Sequence, residues 1–475
     1  MSDDNRRDFL KKSAGAAFVA GGLLTASGAV TGDGGSESEL PDELPDLLPE
    51  ADATEDWASY RADAGNTHAV DSEYEFDADT LEIDWTFDEN VSIAISDGTV
   101  YARTDSDDGG FLHALEAETG DERWRTDEIV DLGGTPTVAY DTVFVGGSEV
   151  RAFDLDGSLR WETTFEPEES VTTPTVAYGA VFVVVDGSLY ALEVDDGSVR
   201  WARDTVDVHH KPTSEDYAVD LANISVAAAN GLVYAGARFK WDDYLVAIEA
   251  GTGEVVRDQM MLADLAGPIV ANENAVGVRI PYEESVFLRD PLTGEGLGSP
   301  ANMSGLALGE DVLVTAWRHD LTAYDFEAGE TLWTWRSDDL GAYPGGSPTI
   351  VGDTVLFSLD DQFDEFENTI VAFDLYDGTV EWTLEMGDHF PSYVSGDNIA
   401  VSDETLYVAS DSLLALRATT EDEDDGQDGD EDGQDSDGDD EEDGQDGDED
   451  DEEDSQDGQD GDEDDGEDGT VPDDC

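Results

Sequence analysis

Two short segments in the middle of the chain carry the residue types best suited to bind a ligand. The segment 207–222 contains two of the six histidines and a lysine, and the segment 238–243 contains a lysine beside aromatic residues. Cations and aromatic rings can hold an anionic or sugar-like ligand through charge-assisted hydrogen bonds and ring stacking. A third segment, 317–319, has the related sequence Trp-Arg-His. The candidate ligand-binding residues are His209, His210, Lys211, Arg238, Lys240, Trp241, Arg318 and His319.

The same residues also admit a structural interpretation, in which the cations neutralise nearby carboxylates or the longer segment only packs over its neighbours. Both interpretations stay open from the residues alone. A metal site at His209 and His210 is not predicted, because adjacent residues on a strand face opposite ways and could not ligate one ion together.

Weak candidates for cation binding lie in the acidic C-terminal stretch. Residues 428–433 alternate carboxylates before a glycine, as the start of a calcium loop does. The twelfth position lacks the glutamate of such loops and no helical pattern flanks them, so we predict only diffuse cation association. The carboxylates concerned are Asp428, Asp430 and Asp432. No Ser-His-Asp, zinc-ligand or phosphate-loop pattern stands out, and we predict no catalytic residue.

Three Asn-x-Ser triplets are candidate N-glycosylation acceptors if the chain is exported. They begin at Asn90, Asn223 and Asn302. Because such triplets are common by chance, the pattern alone does not separate modified from unmodified positions.

A repeat of about 40 residues between Trp57 and Arg417 must position these segments, and this period is typical of propeller blades. Each unit has strand-like apolar runs and then a compact block, which contains a glycine turn and usually ends in tryptophan. The clear copies of the block span 114–124, 152–161, 191–201, 323–333 and 372–382, and the degraded copies span 247–257 and 288–298. A tryptophan on the outer strand can pack between neighbouring blades. The predicted docking tryptophans are Trp85, Trp124, Trp161, Trp201, Trp333 and Trp382.

Counting the units predicts an all-β, eight-bladed propeller with four-stranded blades. Seven units are complete, and the eighth stops after its third strand near Arg417. The segment Leu81–Phe87 can supply the missing outer strand, since Trp85 stands in register, and this would close the ring without an open sheet edge. Seven blades are the alternative if the fifth unit, with the degraded block 288–298, does not form a full blade.

The block Ala-x-Asp-x-x-Thr-Gly-x-x-x-Trp resembles the pyrroloquinoline-quinone-type (PQQ-like) propeller repeat, and the resemblance covers residues 57–417. The stretch Trp57–Thr67, in which Arg61, Asp63 and Asn66 follow an aromatic residue, is similar to the opening segment of that family. The resemblance implies a propeller fold, which both enzymes and non-catalytic proteins use.

Quinone-dependent alcohol dehydrogenases of this fold use adjacent cysteines over the cofactor, a calcium ion and an Asp base. The body of this chain has no cysteine, and its roughly 360 residues lack the extra length of those enzymes. The resemblance therefore favours the shorter non-catalytic members, with no cofactor and a role in binding or scaffolding. A PQQ-dependent oxidoreductase with calcium, lacking the cysteine pair, is the alternative.

The two ends differ in composition from the repeated body, 57–417. Residues 1–29 contain paired arginines, a basic flank and an apolar run, which predict a cleaved twin-arginine export signal. A retained membrane anchor is the alternative, and the mature chain is otherwise expected to lack one and to be extracytoplasmic. Residues 30–56 are predicted to form a flexible acidic spacer, and residues 418–475, almost purely Asp, Glu, Gly and Gln, a disordered tail.

Charge narrows the range of partners. The chain has 119 acidic and 21 basic residues, a net charge of −98, and the acid is spread along its whole length. Such a surface with only four lysines is typical of adaptation to concentrated salt, which screens self-repulsion, and a cation-binding protein of low-salt surroundings is the alternative. No basic face for nucleic acid is visible. The expected partners are a protein or glycan at the cell surface.

The chain has a single cysteine, Cys475, at its C-terminus. No internal disulfide can form, so packing and closure of the ring must stabilise the fold. We predict a monomer whose terminal thiol is free.

Overall fold

The computed structural model describes residues 56–419, apart from 73, 107–108, 166–170, 241, 262–264, 281–283, 302–304, 318–319, 337–342, 361–368, 387–398 and 410. In this part of the chain there are 36 β-strands, and it contains no helix that could span a lipid bilayer. The described residues all belong to one compact unit of the chain. The predicted export signal, nearly all of the spacer and the tail beyond residue 419 lie outside the described residues, so those predictions are not tested.

The strands are short, as alternating apolar runs and turns predict. In chain order they are β1 (Ala69–Val70), β2 (Leu81–Phe87), β3 (Val91–Ser96), β4 (Thr99–Ser106), β5 (Gly109–Glu116), β6 (Glu122–Arg125), β7 (Ile129–Val130), β8 (Leu132–Ala139), β9 (Thr142–Gly147), β10 (Glu149–Asp154), β11 (Leu159–Thr164), β12 (Thr175–Ala177), β13 (Ala180–Val185), β14 (Ser188–Glu193), β15 (Val199–Arg203), β16 (Val206–His210), β17 (Glu215–Leu221), β18 (Ala227–Ala229), β19 (Leu232–Phe239), β20 (Asp242–Glu249), β21 (Val255–Met260), β22 (Ala266–Ala271), β23 (Val276–Ile280), β24 (Ser285–Arg289), β25 (Gly296–Gly298), β26 (Gly305–Leu308), β27 (Val312–Trp317), β28 (Asp320–Asp325), β29 (Glu330–Arg336), β30 (Tyr343–Val351), β31 (Thr354–Asp360), β32 (Thr369–Asp374), β33 (Val380–Glu385), β34 (Ile399–Ser402), β35 (Thr405–Ala409) and β36 (Leu413–Ala418).

Eight sheets form the blades of a β-propeller around a central channel. From the innermost strand outward, blades 1, 2 and 3 are β3–β6, β8–β11 and β12–β15. Blades 4, 5, 6 and 7 are β18–β21, β22–β25, β26–β29 and β30–β33, and blade 8 is β34–β36 followed by β2. The prediction of eight four-stranded blades is confirmed, and the fifth unit forms a full blade, so the seven-bladed alternative is wrong.

The N-terminal strand closes the ring. Strand β2 pairs antiparallel with β36, and Trp85 lies opposite Ala415. Beyond β36, the Thr419 backbone N–H donates to the Thr80 carbonyl at 2.8 Å, so the strand pairing extends to the last described residue. As predicted, a strand from one end of the chain thus completes the sheet at the other end and removes its open edge.

The apolar pattern of each strand follows from its place in the blade. All six residues of β13 in the middle of blade 3 are buried, because both faces of a blade pack against neighbouring blades. The outer strand β33 instead exposes most of its residues and keeps only Trp382 and Leu384 partly covered. The hydrophobic core therefore consists of layers between blades.

The junctions between blades use the repeated block. Five outer-strand tryptophans donate their indole N–H to a backbone carbonyl in the glycine turn of the next blade, at 2.8–2.9 Å. They are Trp85, Trp124, Trp161, Trp201 and Trp333. The turn needs glycine: Gly378 has φ of +70°, and a Cβ added there would lie 2.6 Å from the Trp333 ring. The sixth predicted residue, Trp382, packs against the core next to blade 8.

In one degraded block, a charged side chain takes the place of the docking tryptophan. Arg257 stands in the tryptophan position of blade 4, and its guanidinium donates to the carbonyls of Pro291, at 2.9 Å, and Leu292 in the turn of blade 5. Burial lowers the pKa of Arg257, but not enough to discharge a guanidinium. Two carbonyl bonds thus replace the single indole bond.

The segment 207–222 is largely a β-hairpin. Strands β16 and β17 pair antiparallel, and β17 pairs with the C-terminal half of β19 through Asp220–Arg238 and Leu221–Ala237. Alternate residues of the hairpin, such as Val208 and Val219, are buried in a cluster with blade 4. The hairpin therefore extends the sheet of blade 4.

Candidate functional site

The opening segment of the body, Trp57–Val70, runs along the innermost strands of the blades, and we call it the channel segment. Its backbone carbonyls accept hydrogen bonds of 2.7–3.0 Å from the innermost strands of six blades. The donor–acceptor pairs are Ile95–Trp57, Val138–Ala58, Ala228–Ala64, Ala271–Gly65, Leu308–Thr67 and Ile350–His68. Its end, β1, also pairs in parallel with β30. The segment therefore links blades that are far apart in sequence.

Two polar side chains of the channel segment add to these links. The Arg61 guanidinium donates to the Asn66 carbonyl at 3.2 Å, to Ser347 Oγ at 3.0 Å and to the Leu306 carbonyl. The Asn66 amide donates to two further carbonyls, Val226 just before the inner strand of blade 4 at 2.9 Å and Ile269 in blade 5 at 3.0 Å. Both side chains are at most 5% exposed. Their donors are therefore used in joining blades 4 to 7.

The backbone of this segment is strained. Arg61, Ala62, Asn66 and His68 have φ values of 58°, 81°, 55° and 59°, a region that residues with a Cβ rarely adopt. Such conformations cost about 1–3 kcal/mol each and persist only where surrounding contacts over-determine them. Here the hydrogen bonds to the inner strands supply those contacts.

Asp63 is a titratable group of the channel segment with a raised pKa. Its carboxylate accepts hydrogen bonds from the Thr67 N–H at 3.0 Å and the Thr67 hydroxyl at 2.7 Å. Solvent still reaches this side chain, but the surrounding protein removes much of its hydration and raises its pKa to about 6. The two Thr67 bonds and the nearby Arg61 oppose that shift without cancelling it.

Three polar side chains of the channel segment, Arg61, Asn66 and Asp63, do not fit a pyrroloquinoline quinone. That cofactor carries three carboxylates, which need free donors or cations. The guanidinium of Arg61 and the amide of Asn66 are already bonded to the protein, and Asp63 would repel an anion. The one cysteine, Cys475, lies outside the propeller sequence.

A second polar region lies on the hairpin of blade 4. His210, Tyr217 and Phe239 share one face, with ring centroids 5.0 Å apart for His210–Phe239 and 4.5 Å apart for Tyr217–Phe239. Lys240 Nζ lies 4.4 Å from the Phe239 centroid and 5.4 Å from the Tyr217 centroid, within cation–π distance. We call these four residues the blade-four cluster. Lys211 lies in the adjacent hairpin turn.

The other candidates of this region lie on the opposite face. His209 is exposed, and its Nδ1 lies 2.7 Å from Asp216 Oδ1, whereas His210 Nε2 lies 3.3 Å from Asp242 Oδ2. Arg238 neighbours Phe239 along β19 and therefore points to the other side of the sheet. Within the described residues, no group of three or more His, Cys, Asp or Glu side chains could hold a metal ion.

The remaining candidates are separate. Asn90 is exposed, and the Oδ1 of Asn223 accepts a hydrogen bond of 2.8 Å from the Gly187 N–H. Several candidates lie outside the described residues, namely Trp241, Arg318, His319, Asn302, Asp428, Asp430 and Asp432.

Sequence reasoning missed the role of the channel segment. Its residues were noticed as a family resemblance, but nothing in their pattern indicates six blades as partners. It also left out Tyr217, whose ring centroid lies 4.5 Å from that of Phe239 in the blade-four cluster. The alternation of the hairpin could have placed Tyr217 on the face of His210, had the segment been recognised as strands.

Comparisons with known proteins agree with this architecture. Quinohemoprotein alcohol dehydrogenase of Comamonas testosteroni is 27% identical over 238 residues, which are 48% of this chain and 27% of that protein. Outer membrane protein assembly factor BamB of Yersinia pestis is 29% identical over 111 residues, 20% of this chain and 28% of that protein. The matched part therefore spans little more than a quarter of either relative.

A solved structure gives the same picture. That of quinohemoprotein alcohol dehydrogenase from Comamonas testosteroni superposes with a TM-score of 0.57 and 13% identity, covering 77% of this chain and 81% of that chain. At this identity the likeness shows the fold alone. A family model (PQQ_2) described as outer membrane protein assembly factor BamB matches residues 61–297 and 283–445. Because these matches cover most of the chain, the protein belongs to this PQQ-like repeat family.

Proposed function

We propose that this protein is an extracytoplasmic, non-catalytic propeller that holds a partner protein through the blade-four cluster. The twin-arginine pattern of residues 1–29 supports export. The similarity to an outer membrane protein assembly factor supports binding of proteins as the general role.

The observation that carries the proposal is the state of the two lysines at the cluster. Lys211 and Lys240 are exposed, and neither forms a salt bridge among the described residues. In a chain of net charge −98, carboxylates are abundant, yet both cations face solvent, and Lys240 lies over the Phe239 and Tyr217 rings. Aromatic residues and cations together are typical of protein-binding surfaces, and an acidic partner segment would supply the missing counter-charge.

Two observations favour a binding role over catalysis. The polar side chains of the channel segment are used to join blades, and the donors there do not fit the quinone of the related dehydrogenases. No described group of residues offers a metal site.

The lysines also provide the test. The chain has four, and two of them lie in the predicted export signal, so an amine-reactive cross-linker on the exported protein acts mainly at Lys211 and Lys240. We expect it to capture one acidic partner from the native host. Lys211→Arg with Lys240→Arg should abolish the cross-link but keep co-purification, since the charge remains.

Removing the two positive charges tests whether the partner binds at the blade-four cluster or at another part of the surface. Lys211→Gln with Lys240→Gln should abolish co-purification. A matched control is Arg125→Gln, which removes a cation 5.7 Å from the Phe111 ring in blade 1 and should leave the partner bound. Unchanged co-purification with the glutamine pair would place the binding surface elsewhere.

The alternative, a PQQ-dependent oxidoreductase with calcium, is favoured by the similarity to quinohemoprotein alcohol dehydrogenase. Native mass spectrometry and an absorbance spectrum of the protein from its own host distinguish the two. A bound quinone mass with a near-ultraviolet cofactor band would overturn the non-catalytic proposal. A colourless chain of apoprotein mass supports it.

A further inference from the structure

Blade 5 lacks the large side chain that covers the next blade at other junctions. Gly298 stands in its tryptophan position, and Pro300 stands where the next blade has Trp335. Its outer strand has three residues, against seven in blade 6. The junction between blades 5 and 6 is therefore formed without an indole.

The space above each glycine turn shows whether a side chain of the preceding blade covers it. A Cβ added at Gly120, Gly157 or Gly378 would lie 2.6–2.8 Å from a tryptophan ring of the preceding blade. At Gly329, the corresponding turn of blade 6, the nearest atom is the hydroxyl of Tyr324 at 3.9 Å. The outer part of blade 6 is uncovered on the side of blade 5.

A groove of about 460 Å³ occupies this place. Ser299, Pro300 and Ala301 line it on one side, and three cross-strand pairs of blade 6 line the other. The pairs are Asp320–Arg336, Thr322–Thr334 and Tyr324–Thr331. In blade 7 the residues equivalent to Asp320, Thr322 and Tyr324 are fully buried: Thr369, Val371 and Phe373.

We propose that this groove is a binding site for a neutral carbohydrate of one to three sugar units. This site is distinct from the blade-four cluster, and its volume lies in the range of small-ligand sites. The chain carries −98 charges, yet the groove pairs its single acid with a single base, Asp320 with Arg336. A neutral ligand therefore suits it better than an ion.

The polar groups of the groove match sugar hydroxyls. Thr322 and Thr334 lie with hydroxyl oxygens 3.1 Å apart, and each keeps further capacity to donate or accept. Tyr324 donates to the Leu297 carbonyl at 3.1 Å, which leaves its oxygen free to accept, while its ring packs against the neighbouring apolar cluster and stays partly exposed. The loose Asp320–Arg336 pair, at 3.8 Å, offers charged acceptors and donors to a vicinal diol.

The test is saturation-transfer NMR on the full chain in concentrated KCl. The probes are methyl glycosides of glucose, mannose and galactose, together with maltotriose. We expect at least one neutral probe to bind, and Thr322→Val with Thr334→Val to raise its Kd at least tenfold. Arg336→Gln, at a side chain 67% exposed, should raise Kd severalfold without affecting folding.

Thr383→Val is the matched control, because Thr383 follows Trp382 as Thr334 follows Trp333 and is equally exposed on blade 7. It should leave the Kd unchanged. The proposal is overturned if no neutral probe binds, or if the variant with both threonines replaced binds as the wild type does.

Discussion

Two junctions between blades, 6–7 and 5–6, differ in packing, although the strands within each of these blades pair in the same order. At the first, Trp333 and Trp335 both contact Phe373, with ring centroids 6.0 and 5.7 Å apart, and Phe373 is fully buried. At the second, Gly298 and Pro300 leave the equivalent face half-exposed and polar. The backbone of a blade therefore forms without its docking tryptophan, whereas the two tryptophans of blade 6 cover the face of blade 7.

The open junction keeps a smaller contact of its own. The Tyr324 hydroxyl reaches the Leu297 carbonyl, and a Cβ at Gly298 would collide with that hydroxyl. The tyrosine thus takes part of the space that an indole fills elsewhere. Variants at Trp333, Gly378 and Arg336 compare the two junctions, and a variant at Asp63 concerns the channel segment.

Trp333→Ala should convert the sealed junction into an open one. Removing a largely covered indole costs about 3–5 kcal/mol of unfolding free energy, and the Leu375 carbonyl also loses its donor. Tyr324→Phe, which removes only a hydroxyl at the open junction, should cost about 1 kcal/mol. Denaturant unfolding in constant KCl measures both, and equal losses would contradict the contrast.

Two glycines with nearly the same backbone conformation allow the effect of packing to be measured separately from the effect of conformation. Gly378 and Gly329 have φ of +70° and +71°, but only Gly378 lies under a tryptophan ring. Alanine at either costs about 1–2 kcal/mol for the left-handed conformation. Gly378→Ala should lower the melting temperature further, because its Cβ would press on Trp333. Equal shifts would show that the indole moves aside freely.

Asp63→Asn tests the cost of a charge in the channel segment. The pKa of Asp63 is about 6 in the folded protein against 3.8 for an ordinary Asp, so ionisation is disfavoured on folding. Its contribution to stability is fully present below pH 3.8 and is lost as pH rises through 6. The melting temperature of the variant should therefore gain on the wild type between pH 4 and 7. A difference that does not change with pH would contradict the raised pKa.

Arg336→Gln should change stability least. Its guanidinium is 67% exposed and 3.8 Å from Asp320, and such surface pairs contribute at most about 0.5–1 kcal/mol, less in high salt. Thermal unfolding should shift by about one degree or less, which makes this variant a clean probe of the groove. A large loss would mean that the open junction depends on this ion pair.

Much of the fold could be predicted because its signals are local. The block around Gly378 and Trp382 is a strand, a left-handed turn and a strand within about eleven residues. Repetition of that unit predicts a propeller, and Trp85 in register predicts which strand closes the ring. Even the weakened fifth unit forms a blade, since backbone pairing does not need its tryptophan.

The candidate sites depend on contacts between distant parts of the chain. Arg61 bonds to Ser347, 286 residues away, and no local pattern indicates that partner. The groove was visible in sequence only as a lost tryptophan, because its polar lining comes from cross-strand pairs of the next blade. The blades are predictable because they depend on hydrogen bonding and turn conformation between near neighbours in the chain. Packing across blades sets the distances at which side chains meet in the channel, at the blade-four cluster and in the groove, and no local pattern encodes those distances.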